Sequence, residues 1–226
     1  MTIAKEPIAV VGMGCRFPGE INSTTDFWKF LLEGKDAISE VPEDRWNNAI
    51  HFDANPNKAG KIKASKGGFV KNADHFDAEF FDKFPAEAER IDPQQRFLLE
   101  VTYEAFEDAG IRLEDVSGSS TSVYMGVFMN DYWDIQASAL QKDEISPHVA
   151  MGVSLTAIAN RISYVYNLKG PSMTIDTACS SSLVCVHQAC QSLWLGESSL
   201  AVAGGVNLML RPESSIMMSK GNFLSP

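Results

Sequence analysis

No apolar run among the 226 residues approaches the roughly 18 that a membrane helix needs. The first apolar segment, Ile8 to Met13, is short, and no small-residue cleavage site follows it, so no signal peptide is read. Cysteine is scarce. Cys15, Cys179, Cys185 and Cys190 are too few and too unevenly placed for a disulfide framework, and no C-x-x-C pair suggests zinc. These absences point to a reducing, cytoplasmic setting, where a cysteine matters as a thiol. Histidine is also sparse. His51, His75, His148 and His187 show no metal-ligand spacing and no HExxH, so they read as surface or packing residues and no metal is expected. Positive charge is short too: 19 Lys+Arg against 29 Asp+Glu leave a net charge of −10. Phosphate contacts need clustered Lys and Arg, so nucleic acid is a poor partner. The one basic stretch, Lys58, Lys61, Lys63 and Lys66, lies among Gly and Ser and reads as a solvated loop.

What is present is ordinary globular composition, with 45% hydrophobic and 21% charged residues. That excludes a disordered chain, a collagen-like repeat and a coiled coil. Ile8–Gly12 reads as a buried strand. Ser23 to Leu32 reads as a helix with Phe27, Leu31 and Trp28 on its apolar face, closed by Gly34. Residues 35–90 hold Pro42, Pro56, Gly60, Gly67, Gly68 and Pro85. A stretch this long reads as a structured excursion, not a plain linker.

The clearest helix begins at Asp92-Pro93, with Asp as N-cap and Pro at the first position, and ends at Gly110. Leu98, Val101, Ala105 and Ala109 fall on one stripe, with Phe97 and Phe106 beside it. Val123 to Phe128 reads as a strand and Val149 to Tyr166 as one largely buried helix. Ser172 to Asp176 follows as a short strand. Ser180 to Leu195 reads as a helix with Leu183, Val186, Cys190 and Leu193 at helical spacing and Gly196 at its end, and Leu200 to Val206 as a last strand. Alternating strands and helices with crossover-length connections predict an α/β fold with a mostly parallel sheet. Gly221 to Pro226 carries no terminal strand or helix signal and reads as a cut end.

Two segments could carry chemistry. Gly12-Met-Gly14-Cys-Arg-Phe-Pro-Gly19 has Phe17 where a dinucleotide loop needs its third glycine, and no acidic residue follows a second strand at the right distance. It reads as a turn. The second, Asp176-Thr-Ala-Cys179-Ser-Ser-Ser-Leu183, delivers a cysteine from a strand to a sharp turn and straight into a helix. A thiol there faces unsatisfied backbone N–H groups and the positive end of a helix dipole, a setting in which cysteine works as a nucleophile. The backbone N–H of Cys179 could also hold an oxyanion developing on an attacked thioester. The competing reading is a buried, inert cysteine beside a serine-rich cap, and spacing alone leaves both open. His187 lies eight residues on, about 12 Å along the helix, too far to serve as its base. Cys185 and Cys190 read as core, and Cys15 as structural.

Gly170-Pro-Ser-Met-Thr-Ile-Asp-Thr-Ala-Cys-Ser-Ser-Ser-Leu183 resembles the active-site signature of β-ketoacyl synthases, above all the ketosynthase domains of polyketide synthases and animal-type fatty acid synthases. Ile8 to Gly19, Phe76 to Phe81, Asp92 to Glu100, Ala159 to Tyr164 and Ala203 to Asn207 fit the same family in order and spacing. The resemblance implies a thiolase-like fold, of which residues 1–226 would be the N-terminal part, truncated before the C-terminal half. It implies Cys179 as the catalytic nucleophile, its backbone N–H as one oxyanion donor, and no directly bound cofactor. Cys179 would take an acyl group from a phosphopantetheine thioester on an acyl carrier protein. A malonyl-type extender would then lose CO₂ and attack the acyl-cysteine, in a Claisen condensation of fatty acid or polyketide synthesis. Such domains are homodimers. The family's two catalytic histidines belong to motifs of the E-A-H-G-T-G-T and K-x-N-x-G-H types, which this sequence does not contain. Condensation by this chain alone is therefore not expected, and its uncovered apolar faces should favour association. The alternatives are a non-catalytic, ketosynthase-like binding module, a thiol acyltransferase or thioesterase on a related fold, and a nucleotide-binding protein.

Overall fold

The computed structural model describes residues 5–55 and 57–225. Pro56, expected as a chain breaker, and Pro226, at the expected cut end, lie outside the described residues. Two compact units are present: Cys15–Ala73 with Leu208–Pro226, and Met1–Gly14 with Asp74–Asn207.

In the unit containing Cys15–Ala73, Ser23 caps α1 (Thr24–Leu32) by accepting the N–H of Asp26 at 3.1 Å. The expected helix is there, but Phe27, Trp28 and Leu31 stay exposed. β1 (Ser39–Glu40) and β2 (Lys66–Gly67) pair antiparallel, with α2 (Asn48–His51) between them in sequence, so much of the long irregular stretch is structured. Trp46 meets Phe69 edge-on, ring centroids 5.6 Å apart, and Ile62 is buried beside the bridge it makes with Phe52. A helix that the apolar pattern does not announce, Pro212–Lys220, returns to this unit, where Ser219 Oγ accepts the N–H of Lys63 at 3.0 Å. Lys58 pairs with Asp53 and Lys61 donates to the carbonyl of Ile50, so these two lysines are engaged within the loop itself.

The other unit carries α3 (Pro85–Ala88), α4 (Pro93–Asp108), α5 (Leu113–Val116), β3 (Thr121–Val127), α6 (Asp131–Ala139), α7 (Pro147–Val153), α8 (Ala157–Val165), β4 (Ser172–Ile175), α9 (Ser181–Trp194) and β5 (Leu200–Val206). Its three strands form one parallel sheet in the order β4–β3–β5. Every residue of β3 is buried, as a central strand covered on both faces requires. Side chains alternate along it. Val123, Met125 and Val127 join Leu98, Leu99, Phe106, Ile158, Ile162 and Tyr166 in the main core under α4 and α8. Tyr124 points the other way and meets Cys185 and Ala189 of α9. The unit is thus a parallel sheet between two helical layers.

Four expectations for this unit need correction. Ile8–Gly12 is not a buried strand: it pairs with no strand among the described residues, and Val10 and Val11 are exposed. The segment is fastened at its ends instead. Trp194 Nε1 donates to the carbonyl of Glu6 at 2.8 Å, and the Met13 N–H donates to Asp108 Oδ2 at 2.9 Å. An apolar run signals burial only where a sheet has a place for it.

The second correction concerns α4. Its buried stripe is Leu98, Leu99, Thr102 and Phe106. Val101 and Ala105, expected to face the core, instead lie under the N-terminal segment. A Cβ on Gly12 would fall 2.1 Å from the carbonyl oxygen of Ala105, and one on Gly14 2.5 Å from that of Val101.

Third, Val149–Tyr166 is two helices, α7 and α8, and not one. The carbonyl of Gly152 accepts both the Asp92 N–H at 2.9 Å and Gln95 Nε2 at 2.8 Å, so the last turn of α7 is closed by other groups. Fourth, α9 buries Ser181, Cys185, Ala189 and Ser192, whereas Leu183 and Val186 turn outward at 75% and 48% exposure. The two stripes are both at helical spacing, so periodicity alone could not choose between them.

Candidate active site

β4 ends at Ile175, and a single turn later the chain is helical: Ala178–Ser180 form a 3₁₀ turn that runs directly into α9. Cys179 lies in that turn and is exposed, so it is not the buried cysteine that the competing reading expects. Three side chains around it are used to shape backbone. Asp176 Oδ1 accepts the N–H of Ala178 at 2.8 Å. Ser181 Oγ accepts the N–H of Thr177 at 2.9 Å and donates to the carbonyl of Ala178 at 2.7 Å. Ser180 Oγ donates to the carbonyl of Thr177 at 3.0 Å, and its hydroxyl lies 2.8 Å from that of Thr177.

These bonds hold an unfavourable conformation. Ala178 has φ +55°, the left-handed region, which costs a residue with a side chain roughly 1–2 kcal/mol. The turn is therefore strained at the residue before the cysteine. Both N–H groups immediately preceding Cys179, those of Thr177 and Ala178, are engaged by side chains. The hydroxyl-rich stretch Thr177 to Ser181 is the sequence signal for this lattice, but only the fold shows which hydroxyl serves which backbone group.

The other cysteines are placed differently. Cys185 is fully buried against Tyr124, and burial pushes its thiol up to about 11. Cys190 is half-buried, and Cys15 is buried in the other unit. His187 is exposed on α9, two turns beyond Cys179, as the helical spacing predicts.

A second polar cluster surrounds the start of α4. Asp92 Oδ1 accepts the Gln94 N–H at 2.8 Å, and Gln94 Nε2 donates to the carbonyl of Met129 at 2.9 Å. Gln95 Oε1 accepts Arg161 Nε at 2.6 Å. These bonds tie α4 to the entry of α6 and to α8. Burial lifts the Asp92 carboxyl to about 6, against hydrogen bonds from Gln94 and the attraction of Arg96. In the stretch Phe128 to Asp134, Met129 and Asp131 are buried, while Phe128, Trp133 and Asp134 are exposed. Among the described residues, no group of acidic, histidine or cysteine side chains is arranged to hold a metal ion, and no helix is long and apolar enough to cross a membrane.

Residues 5–226 match the family model of the β-ketoacyl synthase N-terminal domain. The chain is 48% identical over 221 residues to a phenolphthiocerol/phthiocerol polyketide synthase of Mycobacterium tuberculosis, covering 98% of this chain and 14% of that protein. It is 45% identical over 225 residues to a second phenolphthiocerol/phthiocerol polyketide synthase polypeptide of the same organism, covering 99% of this chain and 10% of that protein. The chain thus spans about one seventh or less of the length of these relatives. Among solved structures, an oxazolomycin ketosynthase domain from Streptomyces albus JA3453 matches with a TM-score of 0.87 at 37% identity, over 96% of this chain and 37% of that one. The ketosynthase from module 6 of the bacillaene synthase of Bacillus subtilis 168 matches with a TM-score of 0.83 at 37% identity, over 96% and 35%.

Proposed function

This chain belongs to the β-ketoacyl synthase family and has the thiolase-like α/β fold of ketosynthase domains; from that premise we propose that Cys179 is the nucleophile of a polyketide-type acyl condensation. The observation that carries the reading is the placement of an exposed Cys179 at the end of a parallel strand and the start of α9, on a turn shaped by Asp176, Thr177 and Ser181.

The Cys179 thiolate attacks the carbonyl carbon of an acyl thioester carried on the phosphopantetheine of an acyl carrier protein. The electron pair of the carbonyl moves to oxygen, and the backbone N–H of Cys179 is one donor to that oxyanion. Collapse expels the pantetheine thiolate, which takes up a proton, and leaves acyl-Cys179. Exchange of one thiolate for another keeps this step close to balanced, which suits sulfur better than a hydroxyl. In the second half-reaction a malonyl-type thioester loses CO₂. Its enolate carbon attacks the acyl-cysteine carbonyl and expels the Cys179 thiolate, releasing a β-ketoacyl thioester. Residues 172–206 supply the groups for the first half-reaction, while the whole condensation is proposed for the domain to which this chain belongs, acting as a homodimer. No cofactor is bound directly; the pantetheine arm arrives with the carrier protein.

The test is to treat the intact natural protein with an acetyl-pantetheine thioester and map the acylated residue by peptide mass spectrometry. Acetyl on Cys179, lost in Cys179→Ala with the fold unchanged, is the expected result. Acetyl on Cys15, Cys185 or Cys190 with Cys179 unmodified would overturn it. Loading of Cys179 without CO₂ release from a malonyl thioester would restrict the role to acyl transfer.

A further inference from the structure

β3 and β5 are in register so that Gly126 stands beside Gly205, and both face the first turn of α9. Neither glycine has a positive φ, so the backbone at both positions would accept other residues. What excludes a side chain is space. A Cβ on Gly126 would lie 2.8 Å from the carbonyl carbon of Ser181 and from the N of Ser182. A Cβ on Gly205 would lie 2.7 Å from Ser182 Cβ. Carbon atoms come to rest at roughly 3.5 Å, so one methyl on either strand would lift the start of α9 by about 1 Å. Ser181 is the residue whose hydroxyl binds both sides of the Cys179 turn, so any such lift is passed to the turn.

We infer that Gly126 and Gly205 are positioning residues that form a paired seat for the start of α9, setting the depth and aim of Cys179 toward the acyl thioester. The inference rests on Cys179 being the acyl acceptor and adds what holds it in place. The two glycines act through different atoms, and this gives the inference its own signature. Gly205 is opposed by a side chain, which can be trimmed. Gly126 is opposed by backbone of Ser181 and Ser182 and by the Cβ of Ser181 at 2.9 Å, none of which is removed by trimming Ser182.

The experiment uses the intact natural protein and follows acetyl transfer from acetyl-pantetheine to Cys179 by mass spectrometry, with thermal unfolding recorded for every variant. Gly205→Ala is expected to slow loading by roughly 10- to 100-fold, the scale on which a misplacement of about 1 Å acts. Ser182→Gly alone should load within about twofold of the parent, because Ser182 is exposed and takes no part in the turn's hydrogen bonds. Combined with Gly205→Ala, Ser182→Gly should restore most of the loading rate. Gly126→Ala should also slow loading, and Ser182→Gly should not rescue it. Gly204→Ala serves as a strand control: its Cβ would meet only the thioether of Met125, at 3.1 Å, on the opposite face of β5. Loading unchanged in Gly205→Ala would overturn the seat. So would an equal loss in Gly204→Ala, or failure of the double variant to recover. If Gly205→Ala does not fold, the double variant decides, since relief of the contact must restore folding as well. A parent protein that loads a cysteine other than Cys179 would instead overturn the nucleophile reading, and the two failures are told apart by the parent's own modification site.

Discussion

Ala178 donates its backbone N–H to Oδ1 of Asp176 at 2.8 Å, which ties the one residue of left-handed φ in the turn to the end of the strand that delivers it. The turn is thus held from the strand side by Asp176 and from the helix side by Ser181. Each hold can be released separately.

Ser181→Ala removes an acceptor from the Thr177 N–H and a donor from the Ala178 carbonyl at a buried position. The expected destabilisation is about 1–3 kcal/mol by urea unfolding, together with slower acyl loading of Cys179. Ser180→Ala, at an exposed position, should change stability by less than about 1 kcal/mol. Equal effects of the two substitutions would contradict the assignment.

Asp92 gives a pH dependence of definite sign. Its carboxyl titrates near 6 in the folded chain against an ordinary value of 3.8, so between those values the folded state holds the proton more tightly. The associated stability is fully present below about pH 4 and is lost as pH rises through about 6. The difference between those two values corresponds to about 3 kcal/mol. Asp92→Asn keeps an acceptor for the Gln94 N–H and never ionises. Its stability, measured against the parent from pH 4 to 7.5, should gain on the parent as pH rises; parallel curves would refute the account.

Thiol labelling should separate the cysteines by environment. At pH 8 iodoacetamide should reach Cys179 quickly and leave Cys185 unmodified, because Cys185 is buried and its thiol is pushed up to about 11. Unfolding in urea should bring Cys185 to the rate of an ordinary thiol. Rapid labelling of Cys185 in the folded protein would mean that α9 does not cover Tyr124 as described.

Gly152→Ala places a methyl 1.9 Å from the carbonyl oxygen of Arg90, a backbone atom with no rotamer to yield. The expected cost is about 1–3 kcal/mol, with loosening of the junction between α7 and the start of α4. Hydrogen exchange at Asp92, whose N–H is bonded to the Gly152 carbonyl, should speed up before global unfolding.

The sequence carried the parallel α/β arrangement because its punctuation is local. Asp92-Pro93 caps α4 and Gly110, at φ +66°, follows its end. The apolar runs at residues 121–127 and 200–206 are strands in the structure. The location of Cys179 between strand and helix was equally legible, since it depends only on neighbours in sequence. What could not be read depends on partners distant in the chain. Ile8–Gly12 has the composition of a strand, but pairing is a property of two segments. Leu183 and Val186 have the spacing of a buried face, yet the sheet receives Cys185 and Ala189. Gly126 and Gly205 look like weak points in their strands until the close approach of Ser181 and Ser182 is seen.

The left-handed φ falls on Ala178 and not on Cys179. Position 179 therefore places no special steric demand on the side chain it carries, because the unfavourable conformation belongs to a neighbour. Serine, alanine or selenocysteine can stand at position 179 on an unaltered backbone. The chemistry proposed for this turn is in that sense separable from its architecture: one atom can be exchanged at Cys179 while Asp176, Ala178 and Ser181 remain as they are.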